Sequence, residues 1–290
     1  MHDALLPLTP YRIVPPAGAR VPLVVASPHS GTCYPDAFVQ ASRLDRLTLR
    51  KSEDCFVDEI FGKAPALGAP LLRALFPRAY IDPNREPYEL DPVMFEDDLP
   101  DFVNRTSPRV AVGLGTIARI VADGEFIYRR KLRFAEVEAR IEQLYRPYHA
   151  ALEALVAETV GQFGTCLLID AHSMPSCGAQ GEATRRRVDI VLGDRLGTSC
   201  RGEVTRAAEQ LLRQQGYTVA LNVPYAGGFT TRHYGRPAEG RHCLQIEINR
   251  GLYMDERTFD RRPYLATLQA DMSELLRGLA GLVSEPVNAG

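Results

Sequence analysis

Seven short apolar runs, each bounded by turn residues, set what this chain can fold into. They are Val21–Ala26, Leu71–Leu75, Arg78–Ile81, Cys166–Asp170, Val188–Leu192, Thr218–Asn222 and Cys243–Ile248. Several show almost no alternation of polar and apolar side chains, the pattern of strands buried on both faces of a sheet. Helical patterns lie between them. Ser52 is placed to cap a helix reaching about Ala64, with Phe56, Val57, Ile60 and Phe61 at helical spacing. Phe134 to Phe163 is the longest helical stretch, and Pro147 is expected to break or kink it. Glu203–Gln215 and Thr258–Leu282 complete the set. Strands alternating with helices predict a single α/β domain over residues 1–290, its mixed and mostly parallel sheet flanked by helices. The stretch 83–124 is rich in Pro, Asp and Gly and poorly periodic. It reads as an irregular insertion covering one end of the sheet.

Composition narrows the function classes. No apolar run approaches the roughly 20 residues that span a bilayer. The first sixteen residues hold His2, Asp3, Arg12 and four prolines, unlike a signal or transit peptide. A cytoplasmic protein is therefore expected, without a membrane partner. The 34 Lys and Arg against 36 Asp and Glu give a net charge of −2, which argues against a broad nucleic-acid face. Six cysteines (33, 55, 166, 177, 200, 243) form no Cys-x-x-Cys pair and read as free thiols, with Cys166 and Cys243 in the core.

Polar clusters follow the apolar runs again and again, where open α/β sheets bind ligands. Ser27-Pro28-His29-Ser30-Gly31 follows the first run. Asp82-Pro83-Asn84-Arg85-Glu86 follows the third, and Asp170-Ala171-His172-Ser173-Met174-Pro175 ends the fourth. Gly193-Asp194 and Asn222-Val223-Pro224-Tyr225-Ala226-Gly227-Gly228 follow the next two, and the last run carries Glu247, Asn249 and Arg250. Six clusters on one sheet edge form the pattern of an active site.

His29 and His172, each at a strand end, suit a hydrolytic zinc site, which takes three protein ligands and leaves a fourth position for water. A carboxylate would be the third. Glu53 and Asp54, at the start of the expected Ser52 helix, both border its apolar stripe, so either can point inward. Asp58, one turn on, would support Asp54. Glu247 lies inside an apolar run, where a charge is costly unless paired or functional. Burial raises a carboxylate's pKa toward the range useful for general acid/base work. His149, beside Tyr145 and Tyr148, reads as a packed helical residue, and His233 as a loop residue.

With these residues in view, the chain resembles the N-formylglutamate amidohydrolase family from about Val21 to Glu256. The motifs are Pro28-His29-Ser30-Gly31, Glu53-Asp54 with Val57-Asp58, Asp82-x-Asn84-Arg85 and Asp170-x-His172-Ser173-x-Pro175. Further along come Asn222-x-Pro224-Tyr225 with Gly227-Gly228, Tyr234-Gly235, and Gln245-x-Glu247-x-Asn249-Arg250 with Leu252-Tyr253-Met254. The resemblance implies cleavage of N-formyl-L-glutamate to formate and L-glutamate in histidine degradation. It also implies a zinc-exopeptidase-like fold, distantly similar to the zinc carboxypeptidases. Those enzymes suggest His29 and His172 as metal ligands, Asn84 and Arg85 as a carboxylate clamp, and Glu247 as general base. Their His-x-x-Glu motif is absent, since Thr32 stands where the Glu would be. The related cell-wall amidases take that ligand from a following helix, which favours Asp54, with Glu53 as the alternative.

The expected mechanism follows. A divalent metal, Zn²⁺ in the first instance, sits on His29, Asp54 and His172 and activates water; manganese, iron and cobalt suit the same ligands. Glu247 takes the proton. Arg250 or Arg232 stabilises the oxyanion, while Asn84 and Arg85, with Ser173, Tyr225 and Gly228, shape the pocket for a small carboxylate-bearing substrate. A metal hydrolase for another N-acyl amino acid or small peptide would use the same metal residues. A cysteine amidase, and a carboxylate-binding protein without chemistry, are the alternatives of other kinds.

Overall fold

The computed structural model describes residues 9–121, 124–176 and 188–284. One seven-stranded mixed sheet organises the chain. Its strands are β1 (Tyr11–Val14), β2 (Leu23–Ser27), β3 (Leu71–Ala74), β4 (Cys166–Met174), β5 (Ile190–Gly193), β6 (Val219–Leu221) and β7 (Arg241–Asn249), in the spatial order β1-β3-β2-β4-β7-β5-β6. The pairs β2–β4, β4–β7 and β5–β6 are parallel, and β5–β7 is antiparallel. Among the expected runs, Arg78–Ile81 is not a strand. It follows Pro77, whose carbonyl accepts from the Tyr80 and Ile81 amides, so the backbone turns instead. β1 was not expected; it is a four-residue run between Pro10 and Pro15 at the sheet's edge, and its own pattern is weak.

The helices are α1 (Asp36–Ala41), α2 (Arg46–Leu49), α3 (Val57–Ile60), α4 (Pro108–Ala111), α5 (Phe134–Arg140), α6 (Arg146–Phe163), α7 (Gly202–Gln214), α8 (Phe229–Tyr234) and α9 (Tyr264–Ser284). The expected helix from Ser52 does not form as such. Ser52 ends a 3₁₀ turn, Glu53 is extended (φ −68°, ψ 145°), and Phe56 is left-handed (φ 64°) before the single turn of α3. Pro147 breaks nothing. A π-helical segment, Ile141–Tyr145, joins α5 to α6 just before it and absorbs the change in hydrogen-bonding register. No described helix is long and apolar enough to cross a membrane.

The chain divides into two compact units. One comprises the chain up to Arg12 with Pro28–Glu53 and Arg73–Ala151; the other comprises Ile13–Ser27, Asp54–Leu72 and the chain from Leu152 onward. In the second, Ile169, Ala171, Leu244, Ile246 and Ile248 of the central strands pack with Val57 and Ile60 of α3, Val204 and Leu212 of α7, and Leu268, Met272 and Leu275 of α9. The first carries 83–124, whose described residues include a 3₁₀ turn (Pro92–Met94) and α4. There Arg140 is buried with its guanidinium 4.0 Å from the centre of the Tyr80 ring, and donates to Tyr80 O and the Tyr128 hydroxyl.

Candidate active site

Strand register builds the site. β4 and β7 align Asp170 with Gln245, His172 with Glu247 and Met174 with Asn249. Side chains alternate with a period of two, so these six share one face of the sheet. Their neighbours Ile169, Ala171, Leu244 and Ile246 face the core with α3, α7 and α9. β4 is buried from end to end, so the sequence shows no exposed face and no alternation. Its second face places the buried Asp170 and His172 between Leu168 and Met174.

Asp54 is fully buried. Its Oδ2 lies 3.0 Å from His172 Nδ1. Its Oδ1 accepts from Arg250 Nη2 at 3.0 Å and from Ser173 Oγ at 3.2 Å. Arg250 Nε donates to Ser173 Oγ at 3.0 Å, closing the network. Burial works against the charge on Arg250, and Asp54 outweighs it, holding the guanidinium's pKa above its usual value. Asp54 precedes α3, so the one-turn helical spacing expected between it and Asp58 does not apply. Glu53 is turned to other groups: it accepts from the Tyr34 hydroxyl at 2.7 Å and from Arg50 Nε at 3.0 Å.

His29, two residues beyond β2, is buried and donates from Nε2 to Asp82 Oδ1 at 2.7 Å. Asp82 Oδ2 accepts from Arg78 Nη2 at 2.8 Å, and Asp82 Oδ1 also accepts from the Asn84 amide. Burial would raise the Asp82 carboxyl, but Arg78, His29 and Arg85 hold it well below the usual carboxylate range. Gly31 lets this turn close, since a Cβ there would collide with the Phe76 carbonyl oxygen. Arg85 donates from Nε to Leu114 O and from Nη1 to Asn84 O. Its guanidinium is anchored, with the Nη2 edge 3.8 Å from Asp82.

His29, Asp54 and His172 each offer one ligand atom, and these atoms lie within 4.8 Å of one another. Two observations test whether the residues fit a divalent cation. Each histidine has a carboxylate at its second nitrogen: Asp82 for His29, and Asp170 for His172, whose Nε2 is 3.0 Å from Asp170 Oδ1. Metal-bound imidazoles are oriented in this way. The second observation is a deficit. Both oxygens of the fully buried Asp170 lack a well-aligned hydrogen-bond donor among the described residues, leaving His172 as their cationic neighbour. Burial opposes a charged His172, yet Asp170, Asp54 and Glu247 outweigh it, so the ring's pKa stands well above its ordinary value. The pocket calls for positive charge at this place, and the donor set fits a zinc-like ion.

Glu247 is buried, and Gln245 Nε2 donates to its Oε1 at 3.0 Å. Gln245 Oε1 in turn accepts from the Gly228 amide at the start of α8. Tyr225 is half-buried against Met174 and Val191. Arg232 is exposed on α8, 5.8 Å from the Phe229 ring, and His233 stacks on that same ring. His149 donates from Nε2 to Pro83 O, 2.8 Å away, and packs on Tyr145. Cys33 is exposed; Cys55, Cys166, Cys200 and Cys243 are buried free thiols; Cys177 lies outside the described residues. Asp82, Asp170 and Gln245 were not singled out as site residues from sequence. The Asp170-x-His172 and Gln245-x-Glu247 spacings were the available signal, since residues two apart on a strand share a face.

Comparison with known proteins bears on the family and the fold. A family model described as N-formylglutamate amidohydrolase matches residues 21–254. An N-formylglutamate deformylase of Pseudomonas aeruginosa is 31% identical over 90% of this chain and 93% of its own. One from Pseudomonas putida is 30% identical over 90% and 92%. The crystal structure of an N-formylglutamate amidohydrolase from Ralstonia eutropha JMP134 superposes with a TM-score of 0.88 at 42% identity, covering 94% of this chain and 98% of that one.

Proposed function

The chain belongs to the N-formylglutamate amidohydrolase family and is an amide hydrolase acting on N-formylglutamate, and we propose that it works with a divalent metal, zinc first, held by His29, Asp54 and His172. The products are then formate and L-glutamate. On the family resemblance we place the reaction in histidine degradation and the protein in the cytoplasm. The observation that carries the metal reading is the three-residue cluster in which both imidazoles are backed by a carboxylate.

When bound, the cation supplies a Lewis acid for the formyl oxygen and lowers the pKa of water to about 7. Glu247 accepts the proton of the attacking water at its carboxylate and passes it to the departing glutamate amine. Gln245 orients that carboxylate through its Oε1. Asp170 and Asp82 fix the ring orientations of His172 and His29. Arg250 and Ser173 are both spent on Asp54, so their role is to hold the ligand carboxylate rather than to meet the oxyanion or the substrate. Asn84, whose amide donates to the Asp82 carboxylate, and Arg85, tied through Nε and Nη1 to main-chain carbonyls, bind a glutamate carboxylate. Tyr225, Gly228 and Arg232 remain candidates for the substrate's other carboxylate.

Formate release from N-formyl-L-glutamate, before and after chelation and with zinc restored, tests both parts. Chelator-sensitive and zinc-rescued release is expected. Release indifferent to thorough metal removal would keep the substrate and sink the metal mechanism. No release in any metal condition would move the substrate to another N-acyl amino acid.

A further inference from the structure

A second cavity carries chemistry that the hydrolytic site does not use. It has a volume of about 270 Å³ and is lined by Arg43, Arg119, Arg129, Arg130 and Lys131. No carboxylate stands among the described residues lining it. The whole chain carries slightly more acids than cations, 36 against 34, so five cations without a lining acid depart from its own average. Two are largely neutralised from outside the cavity. Arg119 pairs with Asp91 at 3.0 Å, and Arg130 holds Glu136 through two hydrogen bonds. The other three have no carboxylate partner among the described residues. Arg43 donates from Nε to Tyr128 O, and Arg129 donates from Nε to Ser42 O. Both guanidiniums are thus tied to main-chain oxygens through one nitrogen, which fixes the fork without cancelling its charge. Lys131 is exposed.

An apolar rim completes the site. Phe126 is 53% exposed and Val93 59% exposed, and both line the same cavity. Arg119 sits 5.7 Å from the centre of the Phe126 ring, which holds the ring's plane. A large ring left in solvent beside a cationic bowl suits a ligand with a flat apolar part and a doubly charged end. A phosphate ester carries about −2 at neutral pH, close to the charge of the three uncompensated cations. Arg forks recognise phosphate oxygens through paired hydrogen bonds.

We propose that this cavity binds a phosphate ester bearing a flat ring, the chemistry of a nucleoside phosphate, with Arg43, Arg129 and Lys131 on the phosphate and Phe126 on the ring. None of its lining residues belongs to the hydrolytic site.

Calorimetric titration of the metal-loaded full-length protein tests this, with ADP, pyrophosphate and adenosine as probes in magnesium-free buffer. ADP is expected to bind more tightly than pyrophosphate, and adenosine to give no measurable binding. Lys131→Glu is exposed and safe for folding; it and Arg129→Gln should each weaken ADP binding about tenfold. Raising the salt should weaken binding as well. The proposal is overturned if ADP does not bind, or if it binds with the same affinity to Lys131→Glu. Displacement of ADP by L-glutamate together with indifference to Lys131→Glu would place it in the hydrolytic site. Equal affinity for ADP and pyrophosphate would remove the ring from the proposal and overturn it as stated.

Discussion

The roles proposed for Glu247 and Asp54 differ, and single substitutions separate them. Glu247→Gln keeps the volume and loses the base, so kcat should fall about 10²-fold or more while bound metal stays near one per chain. A near-wild-type kcat would remove Glu247 from proton transfer. Asp54→Asn takes the charge from the carboxylate shared by His172, Ser173 and Arg250, so metal content measured after dialysis should drop sharply along with activity. Glu53→Gln should do the opposite. It weakens the contacts with Tyr34 and Arg50 at a cost of about 1–3 kcal/mol in denaturant unfolding, yet metal stays bound. If Glu53→Gln sheds metal and Asp54→Asn keeps it, the ligand assignment is wrong. The two acids were indistinguishable in the sequence for a physical reason. On a helix both would border one apolar stripe, whereas in the extended backbone found here adjacent side chains diverge.

The elements explain what a one-dimensional pattern shows and hides. The clusters after β2, β4 and β7 were legible because these parallel strands bring their carboxyl ends to one edge; those after β5 and β6, expected on the same edge, leave the sheet at its other end, since β5 runs antiparallel to β7 and parallel to β6. The antiparallel pairing of β5 with β7 was not legible, because an apolar run such as Ile190–Gly193 reads alike in both directions. The turn at Arg78–Ile81 was hidden for a similar reason: Ala79, Tyr80 and Ile81 are buried as in a strand, but Pro77 and the Thr116 carbonyl decide the backbone. β7 also carries a testable liability. His242 is 2% exposed, and its Nδ1 lacks a hydrogen-bond partner among the described residues. Burial, with Arg201 adding to it, pushes its pKa down to about 4. The unfolded ring titrates near 6.5, so between these values the unfolded chain binds a proton that the folded one refuses. The contribution is therefore complete above about pH 6.5 and is lost as pH falls toward 4. Thermal melts of wild type and His242→Gln should show a Tm difference that changes across this window and stays flat above pH 7. A difference that is the same at every pH would contradict the assignment.

The proposed metal would tie the hydrolytic site to the stability of the folded chain. His29, Asp54 and His172 come from stretches far apart in sequence, so an unfolded chain does not present them together. A cation that binds the folded state alone stabilises it by about 4 kcal/mol at a thousand times its Kd. The proton on His172 opposes this. Without metal, burial disfavours the charged ring, but Asp170, Asp54 and Glu247 raise its pKa well above the ordinary value. That group's stabilisation is fully present below the unfolded value near 6.5 and is lost as pH rises through the raised folded one. A ligating imidazole must be neutral, so the metal displaces this proton and gains affinity as pH rises. The two trends have opposite slopes. Calorimetric melts of zinc-loaded and chelator-stripped protein should therefore separate more at pH 8.5 than at pH 6, the stripped form losing Tm as the loaded form holds it. Stripped and loaded proteins that keep the same separation at both pH values would mean that no proton on His172 is exchanged for metal. The imidazole would then be a structural partner of Asp54 and Asp170 instead of a ligand.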